Sequence, residues 1–248
     1  MKYSLLKEKL LSLFNREKLQ EKPLEWGFFN EIEKDIRTIG YATNITPEVI
    51  EQAHAKNIDF LLTHHDSWGF VFGLKEECNK LLTEYHITHA FFHAPLDDAD
   101  FGTNASLVAK IGLTNRHKII PYEEIFFCGL KGELEIPLAF EEFTSKISNI
   151  LEEPVRAYQN NDKPLHKVAV ATGGGNMTND MKVAVDEGCD TYITGEYVLY
   201  SQQYAKLHHM NLIVGSHTNT EVWGVESMAK KLTEDTEVEI IRMEEPNY

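Results

Sequence analysis

Short apolar runs that alternate with amphipathic segments of helical period are the feature that most constrains the fold of this chain. TIGYAT (38–43) is followed by PEVIEQAHAK (47–56), and IDFLLTHH (58–65) is followed by EECNKLLTEY (76–85). A short continuous apolar run is typical of a strand buried on both faces, and alternation with helical segments favours parallel strands. The pattern therefore predicts an α/β fold built from βα units.

The alternation is interrupted by a less regular middle section, about residues 115 to 163, and then resumes. NASLVAKIG, just before this section, is expected to be a helix with Asn104 as its N-cap and Gly112 as its stop. The later strands are expected at HKVAVAT (166–172), DTYITG (190–195), NLIVGS (211–216) and TEVEIIRME (236–244). We therefore expect two related α/β lobes, residues 1–114 and 115–248, with interleaving of the two lobes as an open alternative.

Charge and composition limit the class of function. The 248 residues carry 24 Lys plus Arg against 39 Asp plus Glu, a formal net charge of -15, which disfavours nonspecific binding to nucleic acid or to an anionic membrane. No apolar run approaches the roughly 18 residues of a membrane span, and no secretory signal pattern is present, so a cytoplasmic protein is expected. Three widely spaced cysteines indicate neither a disulfide framework nor a thiolate zinc site.

Three polar clusters follow predicted strands: THHD at 63–66, HAPLD at 93–97 and GSHTNTE at 215–221. Ligands of open α/β sheets bind at the edge where strands end. Histidine and carboxylate together suit divalent zinc, iron, manganese, cobalt or nickel better than calcium, which prefers oxygen ligands. The clusters therefore predict a transition-metal site.

The number and direction of these side chains favour two ions over one. His64 and His65 would point to opposite faces of an ideal strand, so their joint use requires a bend or two adjacent ions. A carboxylate can bridge such ions, and Asp97 and Glu221 are the candidates. His217 and Glu221 are four residues apart and would share one helix face. His93 is interpreted as a residue that orients a ligand, and Asp98 remains an alternative to Asp97 on spacing alone.

Two further stretches suggest roles beside the metal. Gly173, Gly174 and Gly175 lie between a predicted strand and helix, where backbone N–H groups could bind a phosphate or carboxylate; the alternative is a turn that requires positive φ. Glu196 follows another predicted strand and is the candidate general base, with an orienting carboxylate or a helix N-terminal acid as the alternatives.

In this order, LLTHHD, HAPLDDADFGTN, VAVATGGGNM, DTYITGE and GSHTNTE resemble motifs of the Nif three-like dinuclear-metal family, whose members are often labelled GTP cyclohydrolase I type 2 homologues. The resemblance covers about residues 55 to 230. It implies two related α/β lobes with a dinuclear metal site between them and a ring-shaped hexamer built from dimers. The ligands carried over by position are His64, His65, Asp97, His217 and Glu221.

Three functions follow from the residues and the resemblance. The first is a metal-dependent hydrolase that acts on a small phosphorylated or nucleotide-like substrate. The second is a noncatalytic metal-binding or interaction protein, and the third, narrower one is a GTP cyclohydrolase. The resemblance implies a homo-oligomer, and the apolar side chains after the histidine pair are candidates for its contacts, with burial in the core as the alternative: Trp68, Phe70, Val71 and Phe72.

Overall fold

The computed structural model describes residues 1–245, which alternate between helices and strands as the sequence predicts. The helices are α1 (Tyr3–Ser12), α2 (Arg16–Glu21), α3 (Pro47–Ala55), α4 (Leu74–Glu84), α5 (Ala94–Asp98), α6 (Thr103–Ile111), α7 (Phe140–Leu151), α8 (Thr178–Asp186), α9 (Leu199–Leu207) and α10 (His217–Thr233). The strands are β1 (Trp26–Phe29), β2 (Thr38–Ala42), β3 (Phe60–Thr63), β4 (Thr88–Phe92), β5 (Thr114–Lys118), β6 (Pro121–Tyr122), β7 (Phe126–Phe127), β8 (Leu130–Leu138), β9 (Arg156–Tyr158), β10 (Leu165–Ala171), β11 (Thr191–Thr194), β12 (Asn211–Val214) and β13 (Glu239–Arg242).

The chain divides into two α/β units, which confirms the expected fold class. The first unit contains Met1–Phe101 and the described residues from Val225 onward, and the second contains Gly102–Gly224. The sequence-based boundary after residue 114 therefore differs from the structure. α6 lies before that boundary, but its apolar side chains pack in the core of the second unit, and β13 lies after it but pairs with β2 of the first unit.

The first unit is built on a sheet with the strand order β1-β4-β3-β2-β13. β4, β3, β2 and β13 are parallel neighbours, and β1 is antiparallel to β4. α3 and α4 contribute Val49, Ile50 and Leu81 to the core on one face. The apolar stripe of α1 is core contact, since Leu6 and Leu10 are buried.

The second unit is built on a sheet with the strand order β5-β8-β10-β11-β12-β9. Its central strands β10, β11 and β12 are parallel, whereas β8 and β9 flank them in antiparallel pairing. One core contains side chains of α6 and α7, and a second contains side chains of α8 and α9. In both units the carboxyl ends of the parallel strands therefore lead directly into the polar clusters found in the sequence.

One local prediction is wrong. Asn104 does not cap α6, because it lies inside the helix, and Gly102 occupies the N-cap position. The Asn104 side chain is buried and its Oδ1 accepts the Thr172 N–H at 3.1 Å, so it fixes the segment that follows β10. Gly112 does end the helix, with the positive φ of 81° that suits glycine.

No helix in residues 1–245 combines the length and the apolar character required to cross a bilayer.

Cys78 and Cys189 are buried, and burial raises the pKa of the Cys189 thiol to about 12. Both side chains therefore behave as core residues.

Candidate metal centre

The two adjacent histidines of the first unit lie side by side because the chain bends at the end of β3. The backbone N–H groups of His64 and His65 both donate to the Thr43 carbonyl, at 3.1 and 3.0 Å. Two successive residues that share one acceptor cannot continue the alternation of a strand. The ring centroids are consequently only 4.4 Å apart, and both side chains are buried.

Hydrogen bonds determine which nitrogen of each ring carries the proton. His64 Nδ1 lies 2.9 Å from the Phe92 carbonyl oxygen, and His65 Nδ1 lies 2.8 Å from the Asn44 amide oxygen. Both oxygens accept only, so each Nδ1 donates. A neutral imidazole then has its lone pair on Nε2, the arrangement typical of a metal-ligating histidine.

His93 follows the same rule with a carboxylate as its partner. Its Nδ1 lies 2.6 Å from Oε2 of Glu25. His64, His65 and His93 each offer one nitrogen, and these three atoms lie within 4.8 Å of one another, so the group could hold a metal ion. The interpretation of His93 as an orienting residue stays a prediction, although the geometry places it among the possible ligands.

The two neighbouring aspartates have different surroundings. Asp97 lies in the short helix α5, and its Oδ1 is 3.5 Å from His64 Nε2. Asp98 is instead paired with Lys18. Within the first unit the structure thus brings Asp97 to the histidines and directs Asp98 to a lysine.

In the second unit, Glu196, His217 and Glu221 form one chain of contacts. His217 Nδ1 lies 2.8 Å from Glu196 Oε1, and His217 Nε2 lies 3.3 Å from Glu221 Oε2. The i, i+4 spacing predicted from sequence is therefore realised on α10, which begins at His217. Asn176 Nδ2 donates to the other Glu196 oxygen at 3.0 Å.

The charges of this group shift its proton affinities in opposite directions. Burial alone would lower the pKa of His217, but the charge of Glu221 and the hydrogen bonds to both carboxylates outweigh burial and raise this pKa to about 10. The hydrogen bond from His217 lowers the pKa of Glu196, against the opposing effect of burial. Glu196 is therefore ionised and hydrogen-bonded through both oxygens, which fits an orienting carboxylate better than a general base.

Glycine is required at position 173 because the site occupies the space of a side chain. Gly173 has φ +61°, and a Cβ atom there would lie 1.9 Å from Glu221 Oε1 and 2.7 Å from His217 Nε2. Its N–H donates to Thr220 Oγ1 at 3.0 Å. The turn requiring positive φ is thus present, and anion binding by Gly173, Gly174 and Gly175 stays a prediction.

Sequence reasoning missed the residues that orient the candidate ligands. These are Glu25, Asn44, Asn176 and Glu245. Asn44 and Glu245 carry the same strand-end signal that marked the histidines. Asn44 follows β2 and Glu245 follows β13, each at the carboxyl end of a parallel strand. Glu25 precedes β1, so no strand-end signal marks it.

Comparison with known proteins adds a family match over nearly the whole chain. The family model described as Duf34/NIF3 (NGG1p interacting factor 3) matches residues 1–247. A protein of Haemophilus influenzae named GTP cyclohydrolase 1 type 2 homolog is 26% identical over 217 residues, which cover 84% of each chain. A protein of Archaeoglobus fulgidus with the same name is 25% identical over 225 residues, which cover 89% of each.

Solved structures share the fold along their full length. Reduced HcgD from Methanocaldococcus jannaschii matches with a TM-score of 0.81 and 25% identity, over 99% of this chain and 98% of that chain. A Bacillus cereus protein related to NIF3 matches with the same TM-score at 16% identity, over 99% and 97%. At that lower identity the likeness shows the fold alone.

Proposed function

Because the chain belongs to the DUF34/NIF3 family, we propose that it is a metal-dependent hydrolase that holds two divalent transition-metal ions and cleaves a small phosphorylated or nucleotide-like substrate. The observation that carries the proposal is the shared orientation of three histidines. Nδ1 of His64, His65 and His93 each donates to an oxygen, so each Nε2 keeps its lone pair, and His64 and His65 are the two proposed ligands among them.

The donor chemistry of both units fits such ions. The donors are imidazole nitrogens with Asp97 in the first unit and His217 with Glu221 in the second. Zinc, iron, manganese, cobalt and nickel all bind ligands of these types. The proposal assigns His64, His65 and Asp97 of the first unit, and His217 and Glu221 of the second unit, to metal binding. It is supported by the number and type of donors, which exceed the four that one tetrahedral ion requires.

The residues of the chain have distinct tasks in this proposal. Bound ions of this kind supply a Lewis acid and lower the pKa of a coordinated water toward neutrality. Glu196 accepts from the His217 ring at 2.8 Å and from Asn176 at 3.0 Å, so the pair holds that ring in place. His217 must release its Nε2 proton, now shared with Glu221, before that nitrogen can donate a lone pair.

One observation favours a noncatalytic metal-binding protein as the second candidate. The hydrogen bond from His217 lowers the pKa of Glu196, so this carboxylate is a weak proton acceptor at neutral pH. The name shared by the relatives makes GTP cyclohydrolase activity a third and narrower candidate for this chain.

We also propose that the protein assembles as a closed homo-oligomer, with the hexamer of the family resemblance as the expected form. The segment after the histidine pair supports this. Phe70, Val71 and Phe72 are 75%, 45% and 98% exposed in the described chain. Adjacent large apolar side chains with this exposure favour burial against another copy.

The experiment is elemental analysis of the reconstituted protein followed by a screen of phosphoesters, nucleotides including GTP, and cyclic amides. About two ions per chain are expected, with hydrolysis that requires them. Two bound ions without hydrolysis of any compound would support the noncatalytic alternative. Fewer than one ion per chain would contradict both metal-based proposals.

A further inference from the structure

A cavity of the second unit lies beside the candidate ligand His217. It has a volume of about 450 Å³, within the range of roughly 300–1,000 Å³ that small-molecule sites occupy. Its walls include Pro154, Tyr197 and Val214, which are apolar or aromatic, together with the polar ends of Glu153 and Glu196. The cavity is therefore large enough for a nucleotide-sized molecule next to the metal ligand.

The two carboxylates of the wall are already engaged. Glu153 Oε1 accepts the Ser216 N–H at 2.6 Å, and its Oε2 accepts from Asn219 Nδ2 at 3.0 Å. Both oxygens of Glu196 likewise accept hydrogen bonds, from His217 and Asn176. These acids stabilise the loops of the cavity rather than pairing with its arginine.

The arginine in the wall of the cavity is Arg156, and it contacts an aromatic ring. Its guanidinium carbon lies 5.4 Å from the centroid of the Tyr197 ring, and Tyr197 in turn stacks on Tyr158 at 5.7 Å. Stacking on an aromatic face steadies a guanidinium but leaves the N–H groups at its edge available to an acceptor. Arg156 is thus oriented by an aromatic ring rather than by a carboxylate of the cavity wall.

The backbone places Arg156 at the edge of the sheet that carries the candidate ligands. β9 runs antiparallel to β12, and Arg156 pairs with Val214, the last residue of β12. His217 follows three positions later at the start of α10. Strand pairing rather than a loose loop therefore fixes the distance between the cation and the ligand.

We propose that Arg156 binds the oxyanion of an anionic small-molecule substrate, a phosphate or carboxylate, in this cavity. The inference rests on the proposed function and narrows its substrate class. Arginine binds such groups in bidentate fashion. In a chain with a net charge of -15, and beside Glu153 and Glu196, an anion requires a local cation to enter.

The test is calorimetric titration of the metal-free protein with inorganic phosphate and, separately, with acetate. Arg156→Gln removes the charge, Arg156→Lys keeps the charge without the planar fork, and Arg37→Gln is the control. Arg37 is an exposed arginine that lines a cavity of the first unit. Arg156→Gln is expected to weaken binding about ten- to a hundredfold, Arg156→Lys less, and Arg37→Gln not at all.

The two probes and one further variant separate the possible results. Tighter binding of phosphate than of acetate would identify a phosphorylated substrate, and the reverse a carboxylate. Glu221→Gln is expected to lose metal but keep anion binding, so a protein without hydrolase activity still tests Arg156. Absence of binding by the unmodified protein, or equal losses in Arg156→Gln and Arg37→Gln, would overturn the inference while leaving the hydrolase proposal standing.

Discussion

Glu245 and Asn44 are joined by a hydrogen bond of 2.9 Å from the Asn44 side-chain amide to Glu245 Oε1. The same carboxylate accepts the backbone N–H groups of Thr43 and Asn44, at 2.6 and 2.9 Å. Since the Asn44 amide oxygen accepts the Nδ1 proton of His65, a residue about 180 positions further along the chain holds the ring of a candidate ligand.

We therefore expect Glu245→Ala to weaken metal binding without unfolding the protein. Loss of an orienting partner typically lowers metal affinity by about 10- to 100-fold. Titration against a chromophoric chelator measures the affinity, and a thermal melt of the metal-free protein checks the fold. Glu244→Ala is the matched control, because the exposed Glu244 uses its backbone rather than its carboxylate to contact Gln52. Equal affinity in both variants would contradict the role of Glu245.

Removal of the proposed ligands themselves should have a larger effect. His65→Ala and Glu221→Ala are each expected to lower metal affinity by more than about 100-fold, beyond the effect of an orienting residue. His86→Asn and His209→Asn are the controls, since both histidines are exposed and asparagine tolerates their positive φ of 55° and 53°. Elemental analysis after gel filtration compares the four. A similar loss in all of them would indicate general destabilisation instead.

Gly173→Ala should abolish metal binding for a steric reason. The new methyl group would lie 1.9 Å from Glu221 Oε1 and would displace that carboxylate. Gly188→Ala is the matched control, because Gly188 has φ +73° and a methyl group there would have no atom of the described chain within 4 Å. Both variants should lose about 1–2 kcal/mol from the left-handed conformation. Only Gly173→Ala should lose metal in elemental analysis, and retention of metal by it would refute the argument.

His89 should make the metal-free protein less stable in acid. Burial lowers its pKa to about 4, against 6.5 for an unperturbed histidine. The unfolded chain takes up a proton near pH 6.5 that the folded chain accepts only near pH 4. The contribution of His89 to the free energy of unfolding is therefore fully present above pH 6.5. The free energy of unfolding falls by roughly 3 kcal/mol as the pH drops from 6.5 to about 4.

Urea unfolding at several pH values measures this contribution. His89→Gln keeps an N–H that can donate to Thr63 Oγ1, the present partner at 2.8 Å, but has no proton to titrate. Its stability should therefore change less between pH 6.5 and 4 than that of the unmodified protein. His166→Gln removes an exposed histidine and should leave the slope unaltered. An unchanged slope in His89→Gln would count against the assignment.

Exposed side chains after the histidine pair should determine assembly. Phe70→Ser combined with Phe72→Ser is expected to dissociate the homo-oligomer, since both side chains are exposed and apolar. Leu24→Ser is the control, because Leu24 is 91% exposed but lies elsewhere in the sequence. Light scattering at micromolar concentration measures the mass. A monodisperse monomer of the unmodified chain would disprove the assembly proposal.

The sequence marks the candidate ligands more clearly than the residues that hydrogen-bond to them. Apolar runs that end in His64, His93 and His217 mark strand ends, and parallel strands bring such ends to one edge within each unit. The sequence left a bend at His64 and His65 as one of two alternatives, because the bend depends on the carbonyl of Thr43, which follows β2. Glu25 is likewise identified only by its contact with His93, since a single acidic residue before a strand has no periodic signal.

The division into units was predicted in number but not in position. The sequence shows where helices and strands alternate, but it does not show that β13 pairs with β2, since parallel strands far apart in the chain carry no turn signal between them. Asn104 illustrates the same limit on a smaller scale. Asparagine favours the N-cap position, but the Asn104 side chain instead accepts a hydrogen bond from Thr172, which lies far from it in the sequence.

The pairing of β13 with β2 has a consequence for the order in which the protein is made. Residues 102–224 form a continuous stretch, so every residue of this unit has been synthesised before residues 225–245 are added. β2 must wait for residues 239–242, and until then one of its edges is open to other chains. The sheet of the first unit thus leaves the ribosome early but is completed late, and a stalled or shortened nascent chain exposes that edge to chaperones or to aggregation.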